Sequence, residues 1–174
     1  MYLPTGFIET FTGLEFDLLN PKNNIYRPED VLHALAKECR YGGHCDKFYS
    51  VNEHIYIGTF LIDGINEQCE WCVHDSPEAY LKDIPTPLKR LFPEYEKLHD
   101  AHLEEICRQW GISYPLCDKV WEVDHLMFEI EQPQLMKGLF YEKKPVNEKI
   151  KLFCWNPEEA KEALTSRFKE LGLI

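Results

Sequence analysis

Within five residues, His74-Asp75-Ser76-Pro77-Glu78 sets an imidazole beside a carboxylate, with a second carboxylate one helical turn on. Neutral imidazoles and carboxylates are ligands for borderline divalent ions, and a further carboxylate beside such an ion can orient a water or carry its proton. Glu78 follows Asp75 by three residues and His74 by four, spacings that share a helix face, although Pro77 interrupts the turn. Two distant residues are candidates to complete the set. His54 follows the capping pattern Ser50-Val51-Asn52-Glu53 and falls in the first or second turn of the helix it starts. Asp124 lies beside the apolar stripe Val120, Val123, Met127 and Ile130, where a carboxylate is costly unless paired or metal-bound. Two imidazoles with two carboxylates suit Mn, Co, Ni, Zn or Fe better than Ca. A water joins four protein ligands only if coordination exceeds four, so a catalytic version of the site is octahedral-like with open positions.

The elements that must position these residues are mostly helical. Alternation over residues 7 to 19, broken at Thr12-Gly13, predicts a short hairpin, and residues 20 to 24 read as a loop. Pro28, Glu29 and Asp30 open a helix with the stripe Val31, Leu32, Leu35 and Cys39, ending before Gly42-Gly43. The loop Arg40-Tyr41-Gly42-Gly43-His44-Cys45 puts an Arg, an aromatic and a His around two glycines; it can bring backbone close to a ligand and offer a planar fork to phosphate. Taken alone, the same loop also reads as a helix terminator with a surface Arg. After the helix of His54, a helix over about 66 to 75 turns Cys69, Cys72 and Val73 inward and delivers His74 and Asp75 at its end. Asp83-Ile84-Pro85-Thr86-Pro87 must be extended or turn-like, because a residue before proline avoids the helical region. Lys89 and Arg90 bring positive charge close to the acidic centre. A long helix is predicted from Pro93 to Trp110 with Gly111 as its stop, and another from Cys117 to Glu131, ending at Pro133. Residues 134 to 148 read as irregular, 149 to 155 as a short strand, and Asn156-Pro157-Glu158-Glu159 caps a last helix to about Leu171.

A chain of 174 residues with 44% hydrophobic and 13% aromatic content builds one globular domain, and the tail is expected to pack on it. The net charge of −11 argues against a surface that wraps nucleic acid, since phosphate contacts are made mainly by Lys and Arg. A small anionic substrate remains compatible if a few cations are local to its pocket. The N-terminal residues lack a basic stretch followed by an apolar core, and no apolar run approaches the roughly 20 residues needed to span a bilayer. The expectation is a soluble cytoplasmic protein without a membrane partner. The seven cysteines are expected to be free, mostly buried thiols, and Cys69-x-x-Cys72 lacks the second pair of a zinc ribbon.

A His in a capped early helix, a His-Asp pair at a helix end and a distant Asp on a later helix resemble the HD superfamily of metal-dependent phosphohydrolases. The strings Tyr49-Ser50-Val51-Asn52-Glu53-His54 and His74-Asp75-Ser76-Pro77-Glu78-Ala79-Tyr80-Leu81-Lys82-Asp83-Ile84-Pro85-Thr86-Pro87-Leu88-Lys89 are similar to its small bacterial and phage branch, which includes 5′-deoxynucleotidases and phage dATP triphosphohydrolases. The resemblance covers about residues 28 to 132. It implies a compact, mainly α bundle as one domain, with the hairpin and a small C-terminal strand and helix as additions. It implies one divalent transition metal, Co, Mn, Zn, Ni or Fe, held by His54, His74, Asp75 and Asp124, with Asp75 and Glu78 as the catalytic pair. Arg40 matches a phosphate-binding Arg, Tyr41 replaces an aromatic that is commonly Trp, Asp83 matches a position near the sugar, and Lys89 one near a phosphate tail. Thr86 lies in the matched string, and His44 in the loop, as further substrate candidates. The implied activity removes phosphate groups from 2′-deoxynucleotides, adenine ones (dATP, dADP or dAMP) foremost, in phage or bacterial nucleotide-pool control. The alternatives are a general deoxynucleoside-monophosphate 5′-nucleotidase, a related phosphodiesterase or pyrophosphohydrolase, and a nucleotide-binding protein without turnover. A homo-oligomer, dimer or hexamer, and a location in the host cytoplasm if phage-encoded, belong to the same expectation. Trp121 departs from the pattern, standing three residues before Asp124 where relatives often have Lys; Lys119 is nearby on another face.

Overall fold

The structure, a computed structural model, describes residues 5–138 and 150–174 and is mainly helical with one small antiparallel sheet at the N-terminal end. β1 (Phe7–Glu9) pairs with β2 (Glu15–Asp17), placing Ile8 opposite Phe16. The turn between them is tied down by α1 (Pro28–Lys37): the buried Asp30 carboxylate accepts from the Thr12 amide at 2.7 Å and from its hydroxyl at 2.9 Å. The expected apolar stripe of α1 is present in Val31, Leu32 and Leu35, all buried, but the helix stops at Lys37. Cys39 instead makes an isolated antiparallel bridge to Ser50, which closes the base of the 40–49 loop.

α2 (Val51–Gly58) starts at Ser50, whose hydroxyl accepts from the Glu53 amide at 3.1 Å. The reciprocal half of the expected capping box is not made. The Glu53 carboxylate accepts from the backbone amides of Phe153, Cys154 and Trp155 at 2.7 to 2.8 Å. That is also why the described part of the expected 149–155 strand is not a strand: its amides are spent on one carboxylate rather than on a neighbouring strand. Lys149 of that expected strand, and residues 139–148 of the irregular stretch expected over 134–148, lie outside the described residues.

α3 (Ile65–Val73) packs against α2 through a close approach at Gly58, where a Cβ would stand only 2.0 Å from the Trp71 ring. Two short helices follow, α4 (Glu78–Leu81) and α5 (Thr86–Lys89), separated by the predicted extended segment. α6 (Pro93–Trp110) ends at Gly111, which takes the left-handed conformation at φ 70°. α7 (Asp118–Leu135) does not stop before Pro133, as expected, but carries it inside its last turn. A proline removes one amide but leaves the carbonyls of its own turn free to accept, and here the buried Ile130, Gln132 and Leu135 anchor that turn while the Met136 amide bonds to the Gln132 carbonyl. α8 (Pro157–Glu170) has a complete capping box between Asn156 and Glu159 and buries Ala160, Leu164 and Phe168 against α1 and α2. Leu164 and Phe168 belong to the same core as Leu35, Ile55, Trp71, Ile106 and Met127, so the tail packs on the common core as expected.

Candidate metal centre

His54 is the fourth residue of α2, His74 caps the C-terminal end of α3, Asp75 follows it, and Asp124 projects from the second turn of α7. The core brings these elements together. Asp75 Oδ2 lies 3.3 Å from His74 Nε2 and 3.6 Å from His54 Nε2, and Asp124 Oδ1 lies 3.4 Å from His54 Nε2 and 4.0 Å from His74 Nε2. His54, His74 and Asp124 form a group able to hold a metal ion, their ligand atoms all within 4.8 Å of one another. Burial sharpens the point. His54 Nε2, His74 Nε2 and Asp75 Oδ2 are each buried and, among the described residues, have no hydrogen-bond partner, a costly condition that a bound cation would relieve.

The opposite edge of each imidazole is fixed. His74 Nδ1 donates to the Trp71 carbonyl at 2.6 Å, with the two rings stacked 4.2 Å apart, and His54 Nδ1 donates to Glu131 Oε1 at 2.6 Å. Because both acceptors can only accept, each Nδ1 carries the proton and each Nε2 is left to ligate when the ring is neutral. Glu131 was not foreseen from the sequence. It is fully buried, accepts also from Tyr49 and Tyr41 hydroxyls at 2.9 and 3.0 Å, and from Arg40 Nε at 3.1 Å. Burial works to raise its pKa, but Arg40 and His54 outweigh burial and hold it below the ordinary carboxylate value. The one available signal was spacing: Glu131 lies seven residues after Asp124, two turns along the same face of α7. For His54, burial and Arg40 lower the pKa, while Glu131 and Asp124 raise it to about 9 in the ion-free protein.

Around this centre, the loop takes the shape its glycines allow, with Tyr41, Gly42 and Gly43 all at positive φ. It aims Arg40 inward, its Nη1 3.5 Å from Asp75 Oδ2, and turns the Tyr41 hydroxyl to Glu131 rather than into open space. Glu78 is buried at the start of α4; its Oε1 accepts from Lys89 Nζ at 2.8 Å and its Oε2 has no hydrogen-bond partner among the described residues. Burial, then Asp75 and Asp83, hold the Glu78 pKa well above its usual value. Asp83 is half-buried and also raised, by burial first, with Arg40 opposing. His44 and Thr86 are exposed, and among the described residues no side-chain hydrogen bond ties either to the cluster. Trp121 is 48% exposed, with its ring edge-on to His74 at 6.4 Å.

YfdR, a protein of Escherichia coli K12 described as uncharacterized, is 31% identical to this chain over 174 residues, covering 96% of each. The chain belongs to the YfdR family. An uncharacterized protein of Rhodobacter capsulatus is 32% identical over 110 residues, 58% of this chain and 56% of its own length. No protein-family model matches. The cysteines of this YfdR-family chain are free, but where mostly buried thiols are expected only Cys72 and Cys107 are buried in the core and the others are partly exposed. Among its described residues, no helix is long and apolar enough to cross a membrane.

Proposed function

We propose that the chain is an HD-type metal-dependent phosphohydrolase that removes phosphate from 2′-deoxynucleotides, adenine deoxynucleotides being the first to test. The observation that carries this reading is the convergence of three buried ligand atoms, on His54, His74 and Asp75, with no hydrogen-bond partner among the described residues, beside Asp124. His54, His74, Asp75 and Asp124 would hold the divalent ion. When bound, such an ion supplies Lewis-acid polarisation of a phosphoryl oxygen and a lower pKa for water.

The chain's own residues supply the rest. Glu78 Oε2 has no hydrogen-bond partner among the described residues, so in its ionised form it can take the proton of the attacking water. Lys89 holds the other Glu78 oxygen and brings a cation to the substrate phosphate. Arg40 has its Nε committed to Glu131, which fixes its plane and leaves its terminal nitrogens to span Asp75 and a phosphate oxygen. Asp83, in the segment between α4 and α5, can accept from the sugar 3′-hydroxyl. Trp121 in place of a cation at the rim leaves less positive charge for a long phosphate tail.

The test is phosphate release from a panel of deoxynucleotides and ribonucleotides, at one, two and three phosphates, with Mn or Co and with the product identified. Asp75→Ala and Glu78→Ala should each lower turnover at least about a hundredfold. Turnover unchanged in both variants would sink the assignment. Tight nucleotide binding by metal-loaded protein without any product would favour a binding protein instead.

A further inference from the structure

α6 carries two histidines three residues apart, His99 and His102, and they are treated in opposite ways. His102 is fully buried and spent: Tyr26 donates to its Nδ1, and its Nε2 donates to the Leu18 carbonyl at 2.9 Å. The His99 side chain is 15% exposed, yet its Nε2 is buried and has no hydrogen-bond partner among the described residues. Its Nδ1 stands 3.9 Å from Asp100 Oδ1, beyond hydrogen-bond reach, so no hydrogen bond among the described residues fixes its tautomer. A neutral imidazole so placed is free to carry its proton on Nε2 and present a donor.

The neighbours of His99 lead to the candidate active site. One turn earlier on α6, Tyr95 lies 6.3 Å from the His99 ring, and Lys89, which holds Glu78, sits 5.9 Å from the Tyr95 ring. Burial first, then Lys89, draw the His99 pKa down to about 4 against the pull of Asp75, so the ring senses the same charges that form the site. A buried donor left unpaired is costly, and its cost is recovered when a ligand supplies the acceptor.

We propose that His99 is a substrate contact of this pocket, its Nε2 donating a hydrogen bond to an anionic phosphate oxygen beside Lys89. This rests on the phosphohydrolase reading of the site, and the test separates the two. Inorganic phosphate is titrated calorimetrically into the metal-loaded full chain as wild type, His99→Ala and His99→Gln, with metal content and thermal unfolding measured for each. His99→Ala should hold its metal and weaken phosphate roughly tenfold or more, and His99→Gln, which can place an amide donor at similar reach, should recover part of the loss. In wild type, the ¹⁵N resonance of His99 Nε2 should shift on saturation with phosphate, a readout that survives even if the alanine variant fails to fold. An unmoved resonance, or phosphate binding by a folded His99→Ala within twofold of wild type, overturns the contact and leaves the phosphohydrolase reading standing. Metal-loaded wild type that does not bind phosphate overturns both.

Discussion

Glu131 does for His54 what the Trp71 carbonyl does for His74: it holds the ring by Nδ1 so that Nε2 faces the cluster. Partners of this kind raise ligand basicity and fix ring orientation, and losing one typically costs about 10- to 100-fold in metal affinity. Glu131→Gln, which keeps the shape but not the charge, should weaken Mn or Co by about that factor in a chelator competition while the fold persists. Affinity equal to wild type would remove Glu131 from the site. A second expectation concerns acid. His102 needs an unprotonated Nδ1 to accept from Tyr26, and burial lowers its pKa, as it lowers that of His99 to about 4. Both rings bind protons more readily in the unfolded chain, so the stability they contribute is complete above about pH 6.5 and is lost as pH falls toward 4. Urea midpoints should drop across that window, and less steeply in His102→Gln. At this scale the sequence was uneven. His74-Asp75 announces itself by adjacency, whereas a Glu on an amphipathic helix looks like a solvated charge until the His 77 positions away is set against it.

The helices were legible because their caps and stripes are local: Pro28, Pro93, Gly111 and Asn156 each mark an end that the structure also has. The errors came where a local signal was answered by a distant partner. Pro133 reads as a stop, but the buried side chains around it keep the last turn of α7 in place. At Gly58 the sequence shows only a small residue; the reason for it is Trp71, whose indole donates to the Ile55 carbonyl at 2.7 Å across the α2 and α3 contact. Gly58→Ala must push that ring aside and should cost about 3 kcal/mol, at the upper end for overpacking, read from denaturant unfolding. Because Trp71 also seats His74, the same variant should bind metal more weakly even when folded. Full stability in Gly58→Ala would mean that the contact is looser than it stands here.

For the molecule as a whole, the Glu53 carboxylate is the hinge between the helical body and the tail, three backbone amides of 153–155 converging on it one residue before His54. Glu53→Ala removes the acceptor of three part-buried hydrogen bonds and should cost about 1–3 kcal/mol. Hydrogen exchange in α8 should quicken before that in α6; uniform exchange across both would show that α8 holds by its apolar face alone. The hydrogen bond between His54 and Glu131 has a further consequence. It closes a loop of 77 positions, and the ligands come from three separated helices, so an unfolded chain offers an ion little more than scattered side chains. An ion held by this group would therefore be a ligand of the native state alone. At a free concentration a hundred times its dissociation constant it should add about 2.7 kcal/mol, a shift in melting temperature that a chelator reverses. Assembly of the centre also falls late, after long-range contacts have formed, so refolding should recover helical signal before it recovers metal uptake.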